Sequence, residues 1–329
     1  MADAGAGESE DPNDNNRRLL MVLAFAAVFI IWGSTYLAIR VGVRSLPPFL
    51  MSGARFVCAG GLLYGLLRWR GTPAPTRAEW ARAAIAGLLM LTAGNGLVTW
   101  AEKSVPSNLT ALIVSAVPIY MALLDWARPG GARPAPRAAA GIDIGAVGMV
   151  LLVSGGRQTA HDTSALAMGA ILLSGLCWSA GSLYARYGGL HAHPVMAAAQ
   201  QMLTGGSAML LISLLRGDPA ALARAGVSLD GALAFGYLTL FGSLVAFSAY
   251  GWLVKATTPA RLSTTAYVNP VVAVVLGWVL LGEQLAPRAL AGAATIVCAV
   301  LVMTVSRPSA RVHVRGAGRR TGAPADARR

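Results

Sequence analysis

LLMVLAFAAVFIIWGSTYLAIR, residues 19–40, and ALAMGAILLSGLCWSAGSLYAR, residues 165–186, decide how this chain folds. Each runs without a charge up to its closing arginine, and about 20 apolar residues in one helix cross a bilayer core of about 30 Å. In each, a tryptophan stands eight residues before that arginine: Trp32 before Arg40, Trp178 before Arg186. The first property points to lipid as the solvent. The second implies that one pattern is written twice.

Outward from these two runs, eight more of the same kind follow, so that the apolar stretches lie at 19–39, 49–67, 83–101, 107–126, 138–154, 165–185, 195–215, 231–253, 262–281 and 289–305. Short breaks rich in turn-formers and charge separate them, as at Pro47-Pro48 and Arg216-Gly217-Asp218-Pro219. The 329 residues are 55% hydrophobic and only 12% charged, against about 25% charged in soluble domains. A soluble globular protein is excluded, and no loop has room for a soluble catalytic domain. The fold class implied is an all-α integral membrane protein of ten transmembrane helices.

The net charge of +13 would suggest a polyanionic partner in a soluble protein. Its placement gives another meaning. With the N-terminus in the cytoplasm, nineteen Lys and Arg fall on the cytoplasmic side and seven on the other, which is the positive-inside asymmetry. Both termini are therefore expected in the cytoplasm. The acidic start before Arg17-Arg18 is a poor cleavable signal, and those arginines are expected to anchor a retained first helix; a twin-arginine export signal is the weaker alternative. Residues 1–18 and the Arg-rich 306–329 are expected to be disordered tails, the latter resting near anionic headgroups, with no nucleic-acid role. Cys58, Cys177 and Cys298 lie inside apolar runs without CxxC spacing, so neither a disulfide framework nor a metal site is implied.

Dividing the chain near residue 160 exposes further matches between 19–154 and 165–305. Pro48 precedes Arg55 by seven residues, as Pro194 precedes Gln201, and each is followed by a glycine pair, Gly60-Gly61 and Gly205-Gly206. Pro118 and Pro270 also correspond. Five spans per half is an odd number, so the second copy enters from the opposite side. Two inverted five-helix repeats are a common architecture of secondary transporters, with the substrate site near the midplane between them.

The segments IIWGSTYLAIRVGV (30–43), PPFLMSGARF (47–56), GNGLVTWAEKSVPSNLTALIVSAVPIY (94–120) and AYVNPVVAVVLGWVLLGEQL (266–285) resemble the paired EamA domains of the drug/metabolite transporter superfamily, in particular its YedA-like exporters. The resemblance runs from about residue 19 to 305. It implies a ten-helix inner-membrane carrier with cytoplasmic termini, four helices per half around a central cavity, and peripheral fifth and tenth helices.

A polar residue in lipid is costly unless it faces the bundle interior or a wet cavity. Trp32, Tyr36 and Arg40 follow one another at i, i+4 and i+8 with Thr35 beside them; Trp178, Ser182 and Arg186 repeat the spacing in the sixth helix. They read as a cavity wall with an arginine at each gate, or, for the arginines equally, as anchors snorkelling to headgroups. The third helix carries Thr92, Asn95, Thr99 and Glu102 on one stripe, suited to substrate or to an interhelical hydrogen bond. Arg55 lies about 9 Å into its span at 1.5 Å per residue and needs a cavity or an acid; Glu102 is the expected partner, as a gate or as a static ion pair. Pro118 and Pro270 are expected hinges, and Gln201, Tyr250, Tyr267 and Asn269 complete the expected pathway. Gly141 and Gly145 suggest close helix packing or a dimer contact, and Glu283 a structural role.

Together these features point to a secondary-active exporter of small amphipathic metabolites, amino-acid-like compounds or drugs. Its expected partners are a small-molecule substrate, membrane lipids, and a proton or counter-solute, as a monomer or homodimer. No GxxxxGK[ST] motif occurs, so concentrative transport needs an ion gradient or exchange. Exchange of anionic solutes through the intramembrane arginines is the alternative. An intramembrane enzyme is remote: His161, His191, His193 and His313 all lie in loops or the tail, and no cofactor, metal or catalytic residue is implied.

Overall fold

The structure is a computed structural model that describes residues 12–129, 131, 136–159, 164–191, 193–257, 262, 265–284 and 286–304. The expectations for the two tails fall largely outside this range. Among the described residues the chain is helical throughout, without a strand.

Among the described residues, seven helices are long and apolar enough to cross a membrane: α1 (Asn16–Gly42), α2 (Pro48–Trp69), α3 (Arg77–Ala101), α4 (Ser107–Ala127), α6 (Ala165–Tyr187), α7 (Pro194–Leu215) and α8 (Leu229–Ala256). Between α4 and α6 lies α5 (Pro136–Thr159), and α9 (Thr265–Leu281) and α10 (Pro287–Thr304) complete the series. Helices α5, α9 and α10 are apolar as well, over Ala139–Gly148, Val268–Leu281 and Leu290–Ala299 among the described residues. Large apolar side chains cover the outside, with Trp69 83% and Leu215 80% exposed, as expected of a surface whose solvent is hydrocarbon.

Local chemistry sets the helix ends. Proline opens α2 and α7, where a missing N–H costs nothing and the fixed φ suits the first turn. Thr76 and Glu79 form a reciprocal capping box at the start of α3. Glu283, just past α9, accepts from the Ser107 and Asn108 backbone N–H groups, both at 3.0 Å, and from the Ser107 hydroxyl at 2.8 Å. Its carboxylate thus satisfies the start of α4, a structural role of the kind its position suggested.

Helices α2 and α7 meet along a glycine seam. A Cβ on Gly53 would stand 2.8 Å from the Leu210 nitrogen and 2.9 Å from the Gly206 oxygen; one on Gly60 would lie 3.0 Å from the Ala199 oxygen and the Leu203 nitrogen. Only glycine lets the backbones approach this closely. Around the seam, α1, α8, α2, α7, α3, α6, α4 and α9 touch in a closed circuit. Helices α5 and α10 pack chiefly on each other. Gly145 of α5 is filled by Ile119 and Ala299, and Gly148 by Ile296, so the Gly141/Gly145 face is used within the chain.

Two backbone features depart from the sequence reading. The paired prolines act differently. Helix α4 breaks at Ser115–Ala116, between Ser107–Val114 and Val117–Ala127, whereas α9 runs unbroken through Pro270. Pro270 lies inside α9, which stays helical through it, while Pro118 stands in the first turn of the helix that resumes after the break. In addition, π-helical segments occur at Val28–Trp32 in α1, Leu88–Asn95 in α3 and Leu238–Phe247 in α8. Such segments widen the helix and free backbone carbonyls from the regular ladder.

Candidate functional site

The circuit of helices encloses a central cavity with about 1100 Å³ of atom-free space, its open mouth included. Trp32, Thr35 and Tyr36 of α1 line it, as do Arg55 of α2, Asn95 of α3, Trp178 of α6, Tyr250 of α8, and Asn269 and Pro270 of α9. Pro118 lines it beside the break in α4.

Aromatic rings dominate one wall. Trp32 lies 5.5 Å from Trp178 with the rings at 84°, and 4.8 Å from Tyr250; Trp178 and Tyr250 are 5.8 Å apart. Edge-to-face and tilted pairs at these separations suit the ring quadrupoles. Each polar tip has a place. The Trp32 indole donates to the Gly242 carbonyl at 3.2 Å, in the π segment of α8. The Tyr250 hydroxyl lies 3.2 Å from that of Ser182. Ser182 therefore supports the wall from behind. Trp178 packs its ring against Gly94, where a Cβ would come within 3.3 Å of it.

Arg55 lines the cavity although its residue is only 2% exposed. Its guanidinium lies over the Phe56 ring, 4.4 Å from the centroid, and donates to Asn95 Oδ1 at 2.6 Å. The chain of bonds continues: Thr99 donates to the Asn95 carbonyl at 2.9 Å, and Ser52 donates to Thr99 at 3.1 Å. Thr92, on the same sequence stripe, turns away and donates to Gly205 of α7. The polar face of α3 thus serves both a cavity group and a helix contact.

The expected Arg55–Glu102 pair is not formed. Asn95, two turns before Glu102 along α3, takes the Arg55 hydrogen bond, while both Glu102 carboxylate oxygens are buried without a hydrogen-bond partner. Glu102 takes part through its backbone, whose carbonyl accepts from Arg40. Arg186 does the same at the other end of the molecule, donating to the Val254 carbonyl of α8 at 3.0 Å. Neither arginine lines the cavity; each satisfies carbonyls at a helix C-terminus, α3 or α8 respectively. Gln201 is buried beside a second, smaller pocket bounded by Tyr250, Val254 and Lys255. The Tyr267 side chain lies outside the described residues.

The cavity also uses residues that the sequence reading passed over. Ser174 continues the α6 stripe one turn before Trp178, and Phe247 precedes Tyr250 by three residues, so periodicity could have found both. Phe56 had no such signal, being adjacent to Arg55 rather than a turn away. Arg55 is the only charged side chain on the described lining. No cluster of His, Cys, Asp and Glu able to hold a metal occurs among the described residues.

Comparison with known proteins agrees with this architecture. The uncharacterized inner membrane transporter YedA of Escherichia coli K12 is 41% identical over 295 residues, covering 88% of this chain and 93% of that protein. The probable terminal-alkyne amino-acid exporter of Streptantibioticus cattleyicolor is 26% identical, covering 91% of this chain and 98% of its own. A crystal structure at 21% identity superposes with a TM-score of 0.64 over 87% of this chain and 98% of the other, which shows a shared fold. The family model for EamA-like transporters matches twice, at residues 19–154 and 165–305. By that double match and the identity to YedA, the chain belongs to the EamA-like transporter family.

Proposed function

We propose that this chain is a secondary carrier of the bacterial inner membrane that exports small amphipathic metabolites, amino-acid-like compounds or drugs by alternating access. The observation that carries the reading is the central cavity, lined by both family-matched segments, with an aromatic wall and a single fixed charge. Cavities that are mostly apolar with a few convergent polar groups suit small organic ligands. The relatives' names, an inner membrane transporter and an amino-acid exporter, support the location and the direction.

The ten spans form two inverted repeats, 19–154 and 165–305, with both termini in the cytoplasm. Supporting the repeats, the contact of Gly53 with Gly206 recurs as that of Gly60 with Ala199, and the tie from Arg40 to the end of α3 recurs from Arg186 to the end of α8. Glu102 is the candidate carrier of a coupling proton, since its buried carboxylate is engaged by no hydrogen bond. Asp125 is engaged, by Arg128 at 2.6 Å.

The test is counterflow in proteoliposomes of purified protein, with a panel of labelled amino acids, amino-acid analogues and cationic drugs. Saturable exchange of a panel member is expected. Ohmic conductance, or a chemically altered product in place of exchange, would overturn the carrier reading.

A further inference from the structure

We propose that the central cavity takes a flat organic monocarboxylate, with the carboxylate on Arg55 and the apolar ring among Trp32, Trp178 and Tyr250. The inference rests on the carrier reading and names the chemical class of its substrate.

Charge decides the class. A guanidinium stays protonated and offers five N–H donors. That of Arg55 has one hydrogen-bond acceptor, the neutral amide of Asn95, and its Nε has no partner. No carboxylate lies within ion-pairing distance of it, and no Asp or Glu is on the described lining. The nearby acid, Glu102, acts on it only through space and forms no pair with it; a buried cation without a paired carboxylate is costly, and a carboxylate that arrives in a planar, paired geometry relieves that cost. A substrate cation finds the opposite: aromatic faces, but a fixed positive charge on the same wall.

Shape decides the rest. Arg55 stacks on Phe56, Phe56 lies 6.5 Å from Phe247, and Phe247 lies 6.4 Å from Trp178, so an unbroken series of rings leads from the charge to the aromatic wall. Trp178 also rests on Gly94, the residue next to Asn95. A ligand with an acid at one end and a planar ring at the other fits that series. The Oδ1 of Asn269 is a buried acceptor without a partner on the same lining, which favours acids that also bear a hydroxyl or N–H.

The first measurement is binding, which needs no transport. Benzoate titrated into the detergent-solubilised full chain is expected to change tryptophan fluorescence saturably. Benzamide, its neutral analogue, and benzylammonium, its cationic one, are each expected to bind at least about tenfold more weakly, the discrimination of a single charge-assisted contact worth about 1.4 kcal/mol. Asn95→Asp is the sharper variant, because it sets a carboxylate 2.6 Å from Arg55 without removing the arginine. It is expected to lower benzoate affinity about tenfold or more and to shift preference toward benzylammonium, a reversal that a structural defect would not produce. Should benzamide bind as well as benzoate, or should Asn95→Asp leave the preference unchanged, the assignment falls. Counterflow separates this outcome from failure of the carrier reading: exchange of benzylammonium or benzamide without benzoate overturns the substrate class alone. If no solute exchanges at all, the carrier reading fails, and benzoate binding still decides what the cavity takes.

Discussion

Trp32 and Trp178 hold equivalent places in the sequence and different ones in the structure. The indole of Trp32 bonds to a carbonyl of the α8 π segment, while Trp178 meets Gly94 through its ring. Trp32→Phe keeps the aromatic face and removes the bond. At a net worth of about 1 kcal/mol, that loss is expected to change counterflow rate or half-saturation about fivefold; Trp178→Phe, which removes a bond to the Tyr250 side chain, is expected to change them by a similar factor. Glu102 allows a cleaner separation of roles. Its carboxyl is buried without a hydrogen-bond partner, so Glu102→Gln removes an ionisable group whose charged form burial disfavours and keeps a side chain of the same shape. The thermal midpoint is expected to hold or rise. If Glu102 carries the coupling proton, uphill transport driven by a pH gradient disappears while counterflow persists; loss of both, or of neither, would refute that role. Most of the residue-scale site was legible because α-helical spacing aligned Trp32 with Tyr36 and Trp178 with Ser182. The partner of Arg55 was not, since Asn95 and Glu102 share one stripe and only the relative height of α2 and α3 chooses between them.

At the scale of elements, the α2–α7 seam is the most demanding contact. Gly53→Val would drive a branched side chain into the backbone of α7 at Leu210 and Gly206, and no rotamer can relieve a clash with backbone. Loss of folded protein from the membrane is expected, read by size-exclusion profile and thermal midpoint. Gly61→Ala is the control, because nothing lies within 4 Å of its Cβ position, and alanine favours helix by about 1 kcal/mol over glycine. It is expected to fold as well as the parent. The glycine pairs were visible as repeat markers, yet which member faces a neighbour depends on the rotation of each helix. The π segments left no mark in composition or periodicity. They depend on tertiary hydrogen bonds such as that of Trp32, which a window of sequence does not contain. The unequal behaviour of Pro118 and Pro270 left no signature in the apolar runs, which do not show where α4 breaks.

For the whole molecule, apolar run length and arginine placement carried most of the architecture. The orientation they imply is directly measurable. Fusions of a fluorescent protein to either terminus are expected to fluoresce, and alkaline phosphatase fused at the same ends is expected to be inactive. Active phosphatase at one end alone would break the odd-number argument for inversion, and at both ends it would reverse the orientation. Helices α5 and α10 pack chiefly on each other and contribute nothing to the described cavity lining.

The glycine seam has a further consequence on the carrier reading. Gly53 against Gly206 and Gly60 against Ala199 form a joint whose two ends are alike, so tilting it one way costs what tilting it the other way costs. Such a joint is a balanced pivot and sets no resting position. On this reading the bias is expected from parts without a twin, among them Arg55 where α7 has Gln201, the π segment of α1, which α6 lacks, and the break before Pro118, which α9 lacks. Such unmatched parts are the ballast expected to decide which face of the membrane an empty carrier waits toward.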